Sequence, residues 1–492
     1  MQHSTNKNWE WKQSYQKITP RSKNFSQWYQ DVVKAADLAE YGPIRGSMIL
    51  KPYGYAIWEK IRAILDQKFK ELGVENVYFP SLIPERFLKK EKEHLEGFSP
   101  EVAVVTYAGG ERLKEALIIR PTSETIMYPT MAKWIHSYRD LPILINQWVN
   151  VIRWEMRPRL FLRTTEFLWQ EGHTAHVSSS EAEGFAQKIL ALYQKFGEEY
   201  LAIPLIPGFK SEAEKFAGAV RTYTLEAMMQ DGKALQFATS HYLGQNFAEV
   251  FNLHFVDKNS KKEYCWQTSW GLSTRVIGAL IMVHGDDKGL VLPPKIAPIQ
   301  IVIIPIWYNN HQREIVLQNA QSLVTDLKKI VNGEIKVDLR DLHPGEKYYY
   351  WEKRGVPLRF EIGPKDLESQ SVVVVRRDTG EKMRINIGEI NQKVPQILNL
   401  IQEDLYKRAQ NFRQEKTKKV SDWKNFQKEI HNHNFVFAHW DGTVETEEKI
   451  KNITKASIRC IPLDILDINE VDGLCIYSKK PTRKIALFAK GY

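Results

Sequence analysis

The stretch RWEMRPRLFLRTTEF (residues 153–167) threads fixed charge through a segment that is otherwise typical of a buried strand. Because successive side chains of a strand point to opposite faces, Arg153 and Glu155 are predicted to stand side by side on one face. One interpretation is an exposed ladder of ion pairs on a sheet. The other is the floor of a pocket for a ligand with a negative part and a hydrogen-bonding ring.

Residues 143–169, which contain this stretch, are predicted to form a hairpin. Two strands flank the loop Met156–Leu160, and Pro158 marks the bend. Proline has no backbone N–H, so it interrupts the hydrogen-bond ladder of a strand and favours a turn. The charged residues are therefore expected on the strands and the loop of a single hairpin.

Two other segments supply polar side chains that such a pocket needs. RPTSET (120–125) places Thr122 and Glu124 at the end of a buried strand, where a carboxylate can hold an ammonium or imino group. A second segment, LQFATSHYLGQNF (235–247), strings together Gln236, Thr239 and His241.

The segment GLSTR (271–275) ends a predicted strand and opens a helix with Ser273 and Arg275. An arginine at the start of a helix adds to the positive end of the helix dipole. Arginines on separate elements that face one cavity hold a triphosphate where a glycine-rich loop is absent. This chain has no GxxxxGK[ST] motif and no convincing GxGxxG after a strand. The pocket interpretation is therefore favoured over the ladder.

Composition sets the broad class. The chain has 492 residues, which predicts two to four domains, and 43% of them are hydrophobic, enough to build globular cores. Lys and Arg outnumber Asp and Glu by 69 to 59, a net charge of +10. This surplus suits a polyanionic partner such as nucleic acid, and it equally suits plain solubility.

Cysteine usage and hydropathy indicate the compartment. Cys265, Cys460 and Cys475 are too few and too scattered for a disulfide framework, which favours a reducing compartment. The sequence shows neither an apolar signal region near its start nor a run of ~20 apolar residues, so no membrane association is expected. We expect a cytoplasmic protein.

Breaks in the pattern predict several domains. Residues 1–25 are polar and are expected to form a loosely held arm. A linker with Pro293, Pro294 and Pro298 precedes a β-branched strand, after which strands and helices alternate to about residue 405. A long helix and a last domain of some 60 residues follow.

Long segments of this chain resemble class II aminoacyl-tRNA synthetases, and within them the prolyl-tRNA synthetases of the archaeal and eukaryotic type. The resemblance runs from ITPRS (18–22) to Tyr492. Chance does not produce agreement over all of the segments that carry it. They are YGPIRGSMILKPYGYAIWEKI, RPTSETIMYP, VIRWEMRPRLFLRTTEFLWQEGHTAH, LQFATSHYLGQNF, SWGLSTRVIGALIMVHGDDKG and GVPLRFEIGPKD.

The resemblance implies an α/β (α+β) fold: a class II catalytic domain built on an antiparallel sheet, then a small α/β anticodon-binding domain and a C-terminal zinc-binding-like α/β domain. The helix and strand that end at Pro80 correspond to motif 1, which builds the homodimer interface. The hairpin corresponds to motif 2 and GLSTR to motif 3. The implied domains are the arm 1–25, the catalytic domain 26–295, the anticodon-binding domain 296–405, and the linker helix with the C-terminal domain, 406–492.

The resemblance also implies roles for the pocket residues. Arg153 and Arg275 are the implied catalytic residues. Arg153 would contact both the α-phosphate of ATP and the carboxylate of proline, Glu155 the adenine amino group, and Arg275 the γ-phosphate. The implied ATP-binding set is Arg153, Glu155, Thr164, Thr165, Gln236, Thr239, Ser273 and Arg275. The implied proline-binding set is Thr122, Glu124, Arg153 and His241, with Glu124 on the secondary ammonium.

The implied activity is activation of L-proline by ATP to prolyl-adenylate, followed by transfer to the 3′ end of tRNA(Pro). The reaction needs no covalent enzyme intermediate, so positioning and electrostatic stabilisation are expected to supply the catalysis. Mg²⁺ is expected on the phosphates. Tyr492 is expected to point back toward the catalytic domain.

The C-terminal domain departs from the resemblance at the zinc ligands. Relatives that bind zinc carry four cysteines, and this chain has Asp441, Thr446, Cys475 and Ser478 at those places. One thiolate does not make a structural zinc site, so zinc is not expected. His173 and His176 have no third ligand nearby in the sequence, so no metal is expected there either. His173 is instead expected to border the active site, and His176 to be structural.

A second departure concerns editing. Only about 120 residues separate Arg153 from Arg275, and the catalytic core uses all of them, so the large insertion domain of many bacterial relatives has no room. A pocket shaped for proline rejects the smaller alanine only modestly, since lost apolar contact is worth ~1–3 kcal/mol. We therefore expect no clearance of mischarged alanyl-tRNA by this chain.

Two rival interpretations stay open at this point. A non-catalytic paralogue would typically lack the arginines of motif 2 or motif 3, whereas Arg153, Glu155 and Arg275 are all present. A class II enzyme for another small amino acid, such as threonine or glycine, is the nearer rival. Against it stands the set Thr122, Glu124 and His241, which suits an imino acid.

Overall fold

The computed structural model describes residues 17–94, 102–155, 157–463 and 472–492. Most of the predicted N-terminal arm, residues 1–16, and Met156 of the predicted hairpin loop therefore lie outside the described residues. Residues 17–24 lead into the first described helix, whose N-cap Asn24 accepts a hydrogen bond from the backbone N–H of Gln27. The described end of the predicted arm, residues 17–24, therefore leads into a helix with a capped N-terminus.

The first region carries fourteen strands and seven helices in the described residues. The strands are β1 Ala39–Tyr41, β2 Met48–Leu50, β3 Glu75–Asn76, β4 Leu82–Pro84, β5 Val104–Ala108, β6 Glu111–Ile119, β7 Ile143–Ile152, β8 Glu166–His176, β9 Leu205–Phe209, β10 Arg221–Met228, β11 Ala234–Gly244, β12 His254–Val256, β13 Lys262–Tyr264 and β14 Trp266–Ser273. The helices are α1 Phe25–Ala35, α2 Pro52–Glu71, α3 Glu85–His94, α4 Glu124–Met131, α5 Ser179–Glu199, α6 Asn246–Phe251 and α7 Arg275–His284.

The second region is a small α/β unit. Its elements are β15 Ile299–Pro305, α8 Asn310–Leu327, β16 Glu334–Val337, α9 Pro344–Lys353, β17 Leu358–Ile362, α10 Pro364–Glu368, β18 Ser371–Arg376, β19 Lys382–Asn386 and the long helix α11 Ile390–Glu415. They form a five-stranded sheet in the order β16-β15-β17-β18-β19, in which β15 runs parallel to both neighbours. The predicted alternation of strands and helices holds as far as β18, which is followed directly by its antiparallel partner β19.

The last region is also mixed. Its elements are β20 Thr417–Lys419, α12 Trp423–His431, β21 Phe435–His439, α13 Val444–Thr454, β22 Ser457–Pro462, β23 Gly473–Leu474, β24 Pro481–Thr482 and β25 Ile485–Ala489. Its core packs Phe426, Val436, Trp440 and Phe488 between the helices and the sheet.

One sheet of eleven strands joins the first and last regions, in the order β20-β21-β25-β22-β9-β10-β11-β14-β8-β7-β3. From β9 to β7 each strand is antiparallel to the next, and the edge strand β3 pairs in parallel with β7. The predicted antiparallel catalytic sheet is thus confirmed. The junction is the pairing of Ile461 and Pro462 on β22 with Phe209 and Gly208 on β9. A Cβ at Gly208 would lie 2.6 Å from the backbone oxygen of Ile461, so the close approach requires glycine there.

The predicted hairpin differs from the structure at its tip. Strand β7 ends at Ile152 and β8 begins at Glu166, so Arg153 and Glu155 lie on the connection and not on a strand face. The last ladder bond runs from the backbone N–H of Arg153 to the carbonyl of Thr165. Beyond it, Pro158 offers no N–H and Phe161 has φ +64°, a left-handed conformation that ends extended pairing.

Partly buried ion pairs join the first and second regions. Arg377 makes a bidentate pair with Asp286 at 2.7 Å for each bond, and Arg354 donates to Asp37 at 3.0 Å. No helix within the described ranges 17–94, 102–155, 157–463 and 472–492 is long and apolar enough to cross a membrane.

Candidate active site

A cavity of about 500 Å³ opens above strands β8, β10, β11 and β14. Its floor consists of two rows of residues that the register of the strands aligns. One row is Thr222, His241, Ser269 and His173, and the next is Thr239, Gly271 and Glu171. The antiparallel pairing therefore brings together segments that lie up to about 100 residues apart in the sequence.

Most of the predicted site residues meet in this cavity. Those that line it are Thr122, Glu124, Arg153, Gln236, Thr239, His241, Ser273 and Arg275. They come from the start of α4, from the connection after β7, from β11, and from the junction of β14 with α7. The two arginines that the sequence places 122 positions apart thus face one space, as the pocket interpretation requires.

Arg153 is fixed by its backbone and its aromatic neighbours. Its Nε donates to the carbonyl of Pro121 at 2.9 Å, and its guanidinium carbon lies 5.2 Å from the ring centre of Trp169. In the described part of the chain no carboxylate lies within salt-bridge distance of it. Burial in the cleft lowers its pKa, while the charges of Glu124 and Glu171 act in the opposite direction. The guanidinium is therefore held in place with its charge not neutralised by a direct partner.

Arg275 begins helix α7, directly after the strand that ends at Ser273. Its backbone N–H donates to the Ser273 hydroxyl at 3.2 Å, and its Nε donates to the carbonyl of Leu162 at 3.3 Å. Burial, followed by the charges of Arg153, Arg163 and Arg459, lowers its pKa to about 10. Guanidinium groups at one cavity repel each other, and an anion that binds between them removes this repulsion. Such a cavity therefore binds anions favourably.

Thr122 and Glu124 form the acidic side of the cavity. Glu124 is the first residue of α4, is 3% exposed, and accepts a hydrogen bond from the Thr122 hydroxyl through Oε2. A buried carboxylate without a cationic partner among the described side chains is costly unless a ligand supplies the positive charge. This corner of the cavity therefore suits an ammonium or imino group.

His241 is neutral at physiological pH. Burial, followed by the charges of His173 and Arg153, lowers its pKa to about 3. Its Nδ1 lies 3.0 Å from the Thr222 hydroxyl, and its ring centre lies 4.7 Å from that of Phe216. The imidazole consequently contributes shape and a hydrogen bond, and no charge.

Glu171 and His173 form a buried pair beside Glu124. Their closest atoms, Oε2 of Glu171 and Nε2 of His173, are 3.2 Å apart. Burial alone would lower the pKa of His173, but its hydrogen bond to Glu171 and the charges of Glu124 and Glu171 raise it above the ordinary value. Glu171 also accepts from Ser123 at 2.5 Å and from Gln147 at 2.7 Å, so the pair is fixed by its surroundings.

Three predicted residues do not line the cavity. Glu155 caps the following turn, accepting from the backbone N–H of Arg157 at 2.9 Å. Thr164 and Thr165 are buried on the connection to β8, where the Thr165 hydroxyl donates to the carbonyl of Arg45 at 3.3 Å. These residues lie beside Arg153 in the sequence but turn their side chains elsewhere.

Sequence reasoning missed several lining residues. Phe167, Trp169, Glu171 and His173 all face the cavity from β8, and of these only His173 was expected at its border. They alternate with residues that point away, so a strict period of two along β8 would have predicted the whole set. Phe216 and Lys210 also line the cavity, and no local pattern in the sequence indicates them.

The chain matches three families. Residues 106–284 match "tRNA synthetase class II core domain (G, H, P, S and T)", residues 300–397 match "Anticodon binding domain", and residues 423–492 match "Prolyl-tRNA synthetase, C-terminal". The three matches follow the three regions of the fold in order.

Curated relatives agree over nearly the whole chain. A proline–tRNA ligase from Chlorobium limicola is 54% identical over 97% of this chain and 99% of its own length. One from Phocaeicola vulgatus is 52% identical over 96% of this chain and 99% of its own length. A solved prolyl-tRNA synthetase from Cryptosporidium parvum, complexed with halofuginone and AMPPNP, shares 44% identity and a TM-score of 0.91 over 97% of each chain.

These relatives remove the rival interpretation of a ligase for another small amino acid. A core of the class II type, an anticodon-binding domain and the C-terminal domain occur together, and the matched relatives act on proline. The chain is thus an ATP-using aminoacyl-tRNA ligase, and it belongs to the prolyl-tRNA synthetases.

Proposed function

We propose that the 500 Å³ cavity is the place where proline and ATP react. The observation that carries this proposal is the convergence of Arg153 and Arg275, without direct carboxylate partners among the described side chains, on a space that also holds the buried carboxylate of Glu124. A positive ligand group would pair with Glu124, and two negative ligand groups would pair with Arg153 and Arg275. Proline with its carboxylate and ammonium, together with ATP, supplies that set.

The proline end of the proposed site is the corner formed by Thr122, Glu124 and His241. Glu124 would accept hydrogen bonds from the secondary ammonium, and Arg153 would bind the carboxylate. The rings of Phe216 and the neutral His241, 4.7 Å apart, would contact the apolar part of the pyrrolidine. Because His241 carries no charge, it does not compete with the substrate ammonium for Glu124.

The nucleotide end of the proposed site extends from Arg153 to Arg275. Gln236, Thr239 and Ser273 line the floor between them and offer hydrogen bonds to the nucleotide. Glu155, Thr164 and Thr165 are proposed as further ATP contacts, and their support is the resemblance to the family. The solved relative from Cryptosporidium parvum was complexed with AMPPNP, an ATP analogue, which supports a nucleotide site in this fold.

The chemistry follows from the charges. The proline carboxylate attacks the α-phosphorus in line and pyrophosphate leaves. The 3′-terminal ribose hydroxyl of the tRNA then attacks the carbonyl carbon of prolyl-adenylate, the bond to the phosphate oxygen breaks, and AMP leaves. Two anions repel each other by about 1 kcal/mol or more at contact distance, depending on solvent exposure. A guanidinium placed between them removes this repulsion and stabilises the charge that grows on the phosphorus.

Mg²⁺ is proposed to arrive on the phosphates of ATP. Mg²⁺ typically keeps several waters and is bound through one or two carboxylates plus substrate phosphates. Within the described residues no group of three His, Cys, Asp or Glu side chains is arranged as a metal cage. The ion would neutralise phosphate charge next to Arg275.

The expectation of no zinc remains a prediction about the C-terminal domain. There the carboxylate of Asp441 accepts hydrogen bonds from the hydroxyls of Thr446 at 2.8 Å and Ser478 at 2.7 Å. A carboxylate and hydroxyls engaged with one another do not fit the thiolate set that a structural zinc ion requires. Elemental analysis of the purified protein would contradict this prediction by showing stoichiometric zinc.

A cytoplasmic homodimer is the proposed working form. The motif 1 segment exposes large apolar side chains, with Tyr55 41% and Tyr78 76% exposed, and Leu82 just after it is 43% exposed. Exposed apolar side chains near β3, the strand that ends the eleven-stranded sheet, support a protein partner on this side. Domain bounds of 26–295, 296–405 and 406–492 are proposed, together with the absence of an alanyl-tRNA editing activity.

Glu124→Gln tests the proposed site in proline-dependent ATP–pyrophosphate exchange. The amide keeps the size of the side chain and loses the charge, so the KM for proline should rise at least tenfold while the KM for ATP changes little. Glu403→Gln, at an exposed carboxylate on α11 far from the proposed contacts in the sequence, is the matched control. An unchanged KM for proline in Glu124→Gln would remove this corner from the proline site.

A further inference from the structure

We propose that Glu447, Lys451 and Arg459 of the C-terminal domain are positioning residues for proline binding. They act through residues 210–216, named here the wall segment, which form one side of the cavity. The inference rests on the proposed assignment of this cavity to proline and ATP.

The wall segment touches the proposed proline site directly. Lys210, Glu214 and Phe216 line the cavity. The backbone N–H of Phe216 donates to the Thr222 hydroxyl at 2.9 Å, and that same hydroxyl lies 3.0 Å from Nδ1 of His241. A shift of the wall segment would therefore move both Phe216 and the hydrogen-bond partner of His241.

Three side-chain links fasten the wall segment to the C-terminal domain. Nζ of Lys210 donates to the carbonyl of Arg459 at 2.7 Å. The other links join the Ser211 hydroxyl to Oε1 of Glu447 at 2.9 Å, and Nζ of Lys451 to Oε1 of Glu214 at 2.8 Å. The links cross the junction of β9 and β22 and join residues more than 230 positions apart.

The links differ in burial and so in strength. Ser211 is 2% exposed and Glu447 3%, and the second carboxylate oxygen of Glu447 has no hydrogen-bond partner in the described part of the chain. Lys451 and Glu214 are 54% and 30% exposed, so water screens their pair. The buried hydrogen bond of Ser211 is consequently expected to fix the wall segment more firmly than the exposed ion pair.

A buried charge cluster anchors the first residue of the wall segment. Lys210 also pairs with Glu226 at 2.7 Å, and Glu226 is fully buried. Arg459 donates to the other carboxylate oxygen of Glu226 at 2.9 and 3.0 Å. Without the side chain of Arg459, Lys210 would be the remaining cationic partner of this buried carboxylate.

The first region holds the wall segment mainly at its ends. The backbone N–H of Lys210 donates to the carbonyl of Thr222, and that of Phe216 donates to the Thr222 hydroxyl. Between these ends, Ser211 and Glu214 direct their side-chain bonds to helix α13 of the C-terminal domain. The C-terminal domain therefore determines where the middle of this side of the cavity lies.

Glu447→Leu is the decisive variant, with Glu447→Gln as its conservative partner. Leucine removes the acceptor for Ser211 without leaving a buried charge, and glutamine keeps the acceptor oxygen. In ATP–pyrophosphate exchange, Glu447→Leu should raise the KM for proline about three- to tenfold, the equivalent of one buried hydrogen bond. The kcat and the KM for ATP should stay within twofold, and Glu447→Gln should restore the KM for proline.

Lys451→Ala should raise the same KM by a smaller factor, and Lys451→Arg should restore it. Lys449→Ala, an exposed lysine on the same helix, is the control and should leave both KM values unchanged. Lys451 is exposed, so this comparison stays informative even if a substitution at Glu447 impairs folding. An unchanged KM for proline in both Glu447→Leu and Lys451→Ala overturns the proposal.

The same assay separates failure of this inference from failure of the proposed site. If Glu124→Gln raises the KM for proline and Glu447→Leu does not, the cavity binds proline and the C-terminal domain does not position it. If Glu124→Gln itself has no effect, the site assignment is wrong, and the inference is overturned with it.

Discussion

Two clusters of charged side chains in this molecule are built in opposite ways. In the cavity, Arg153, Arg275 and Glu124 have no direct ionic partners among the described side chains. At the junction of β9 and β22, Lys210 and Arg459 both pair with Glu226 at 3.0 Å or less. The carboxylates Glu124 and Glu226 are both buried, and only the second cluster is complete. The incomplete cluster marks where ligands bind, and the complete one holds two domains together.

The two clusters also differ in how neighbouring charges shift the pKa values of Glu226 and Arg275. At the junction, burial alone would raise the pKa of Glu226, but Arg459 and Lys210 hold it below its ordinary value. In the cavity, burial and three other arginines lower the pKa of Arg275 to about 10. The cavity thus destabilises its own positive charge until an anion arrives, which is the arrangement that favours binding of ATP.

The largest expected effect is on activity in the incomplete cluster. Arg153→Ala should lower kcat for ATP–pyrophosphate exchange by about 10²–10³ or more, because the developing phosphate charge loses its nearest cation. The free energy of unfolding should stay close to that of the wild type, since Arg153 makes no ion pair with the described side chains that the substitution could break. Urea denaturation measured on the same preparation checks this second expectation, and a large loss of stability would contradict the contrast.

In the complete cluster the expected effect is on stability. Glu226→Ala leaves two buried cations facing each other, so the free energy of unfolding should fall by about 3–5 kcal/mol. Urea denaturation followed by tryptophan fluorescence measures it, with Glu403→Ala on the exposed side of α11 as a control. A loss below about 1 kcal/mol would show that the junction tolerates unpaired charge, and the comparison would fail.

A smaller effect is expected at Asp441, whose carboxylate accepts hydrogen bonds from three hydroxyls, those of Thr443, Thr446 and Ser478. Asp441→Ala should cost about 1–3 kcal/mol of unfolding free energy at pH 7. Burial alone would raise the pKa of Asp441, but these hydrogen bonds lower it. Its contribution is therefore present above about pH 4 and is lost as the pH falls through the folded-state pKa. An equal difference between variant and wild type at pH 3 and pH 7 would contradict this.

A further effect on stability, confined to the pH dependence, is expected at Glu447, which faces Ser211, Glu214, Lys210 and Lys451. Burial raises its pKa to about 7, against about 4.3 for an unfolded chain. The folded state then binds the proton more tightly, so the free energy of unfolding decreases as the pH rises from about 4.3 to 7. Glu447→Gln should remove that part of the slope in urea denaturation. Identical slopes for the variant and the wild type would show that the carboxylate is ionised when folded.

Residue types in short motifs were enough to predict the cavity. The cavity is lined by the arginines of two segments, by Thr122 and Glu124, and by the polar residues of β11. These residues face the cavity because antiparallel pairing is regular once the strands are in place. The tip of the hairpin was predicted poorly. There, the missing N–H of Pro158 and the left-handed backbone of Phe161 end the ladder early, and no local periodicity announces that φ.

The wall segment lay beyond sequence reasoning for a different reason. Its partners on α13 and β22 are more than 230 positions away in the chain, and the residues concerned, such as Ser211 and Lys451, are ordinary surface types. Only the pairing of β22 with β9 brings them together. Long-range register of this kind depends on the assembled sheet and not on any pattern within one segment.

Equilibrium binding of ATP and AMP by titration calorimetry tests the central claim most directly, with wild type, Arg153→Ala and Arg275→Ala compared at one salt concentration. Arg275→Ala should weaken ATP binding at least tenfold and leave AMP binding within twofold of wild type. The reason is that Arg275 is proposed to bind the γ-phosphate, which ATP has and AMP lacks. Arg153→Ala should weaken both nucleotides. Wild-type affinity for ATP in Arg275→Ala, or an equal loss of ATP and AMP, would contradict the account.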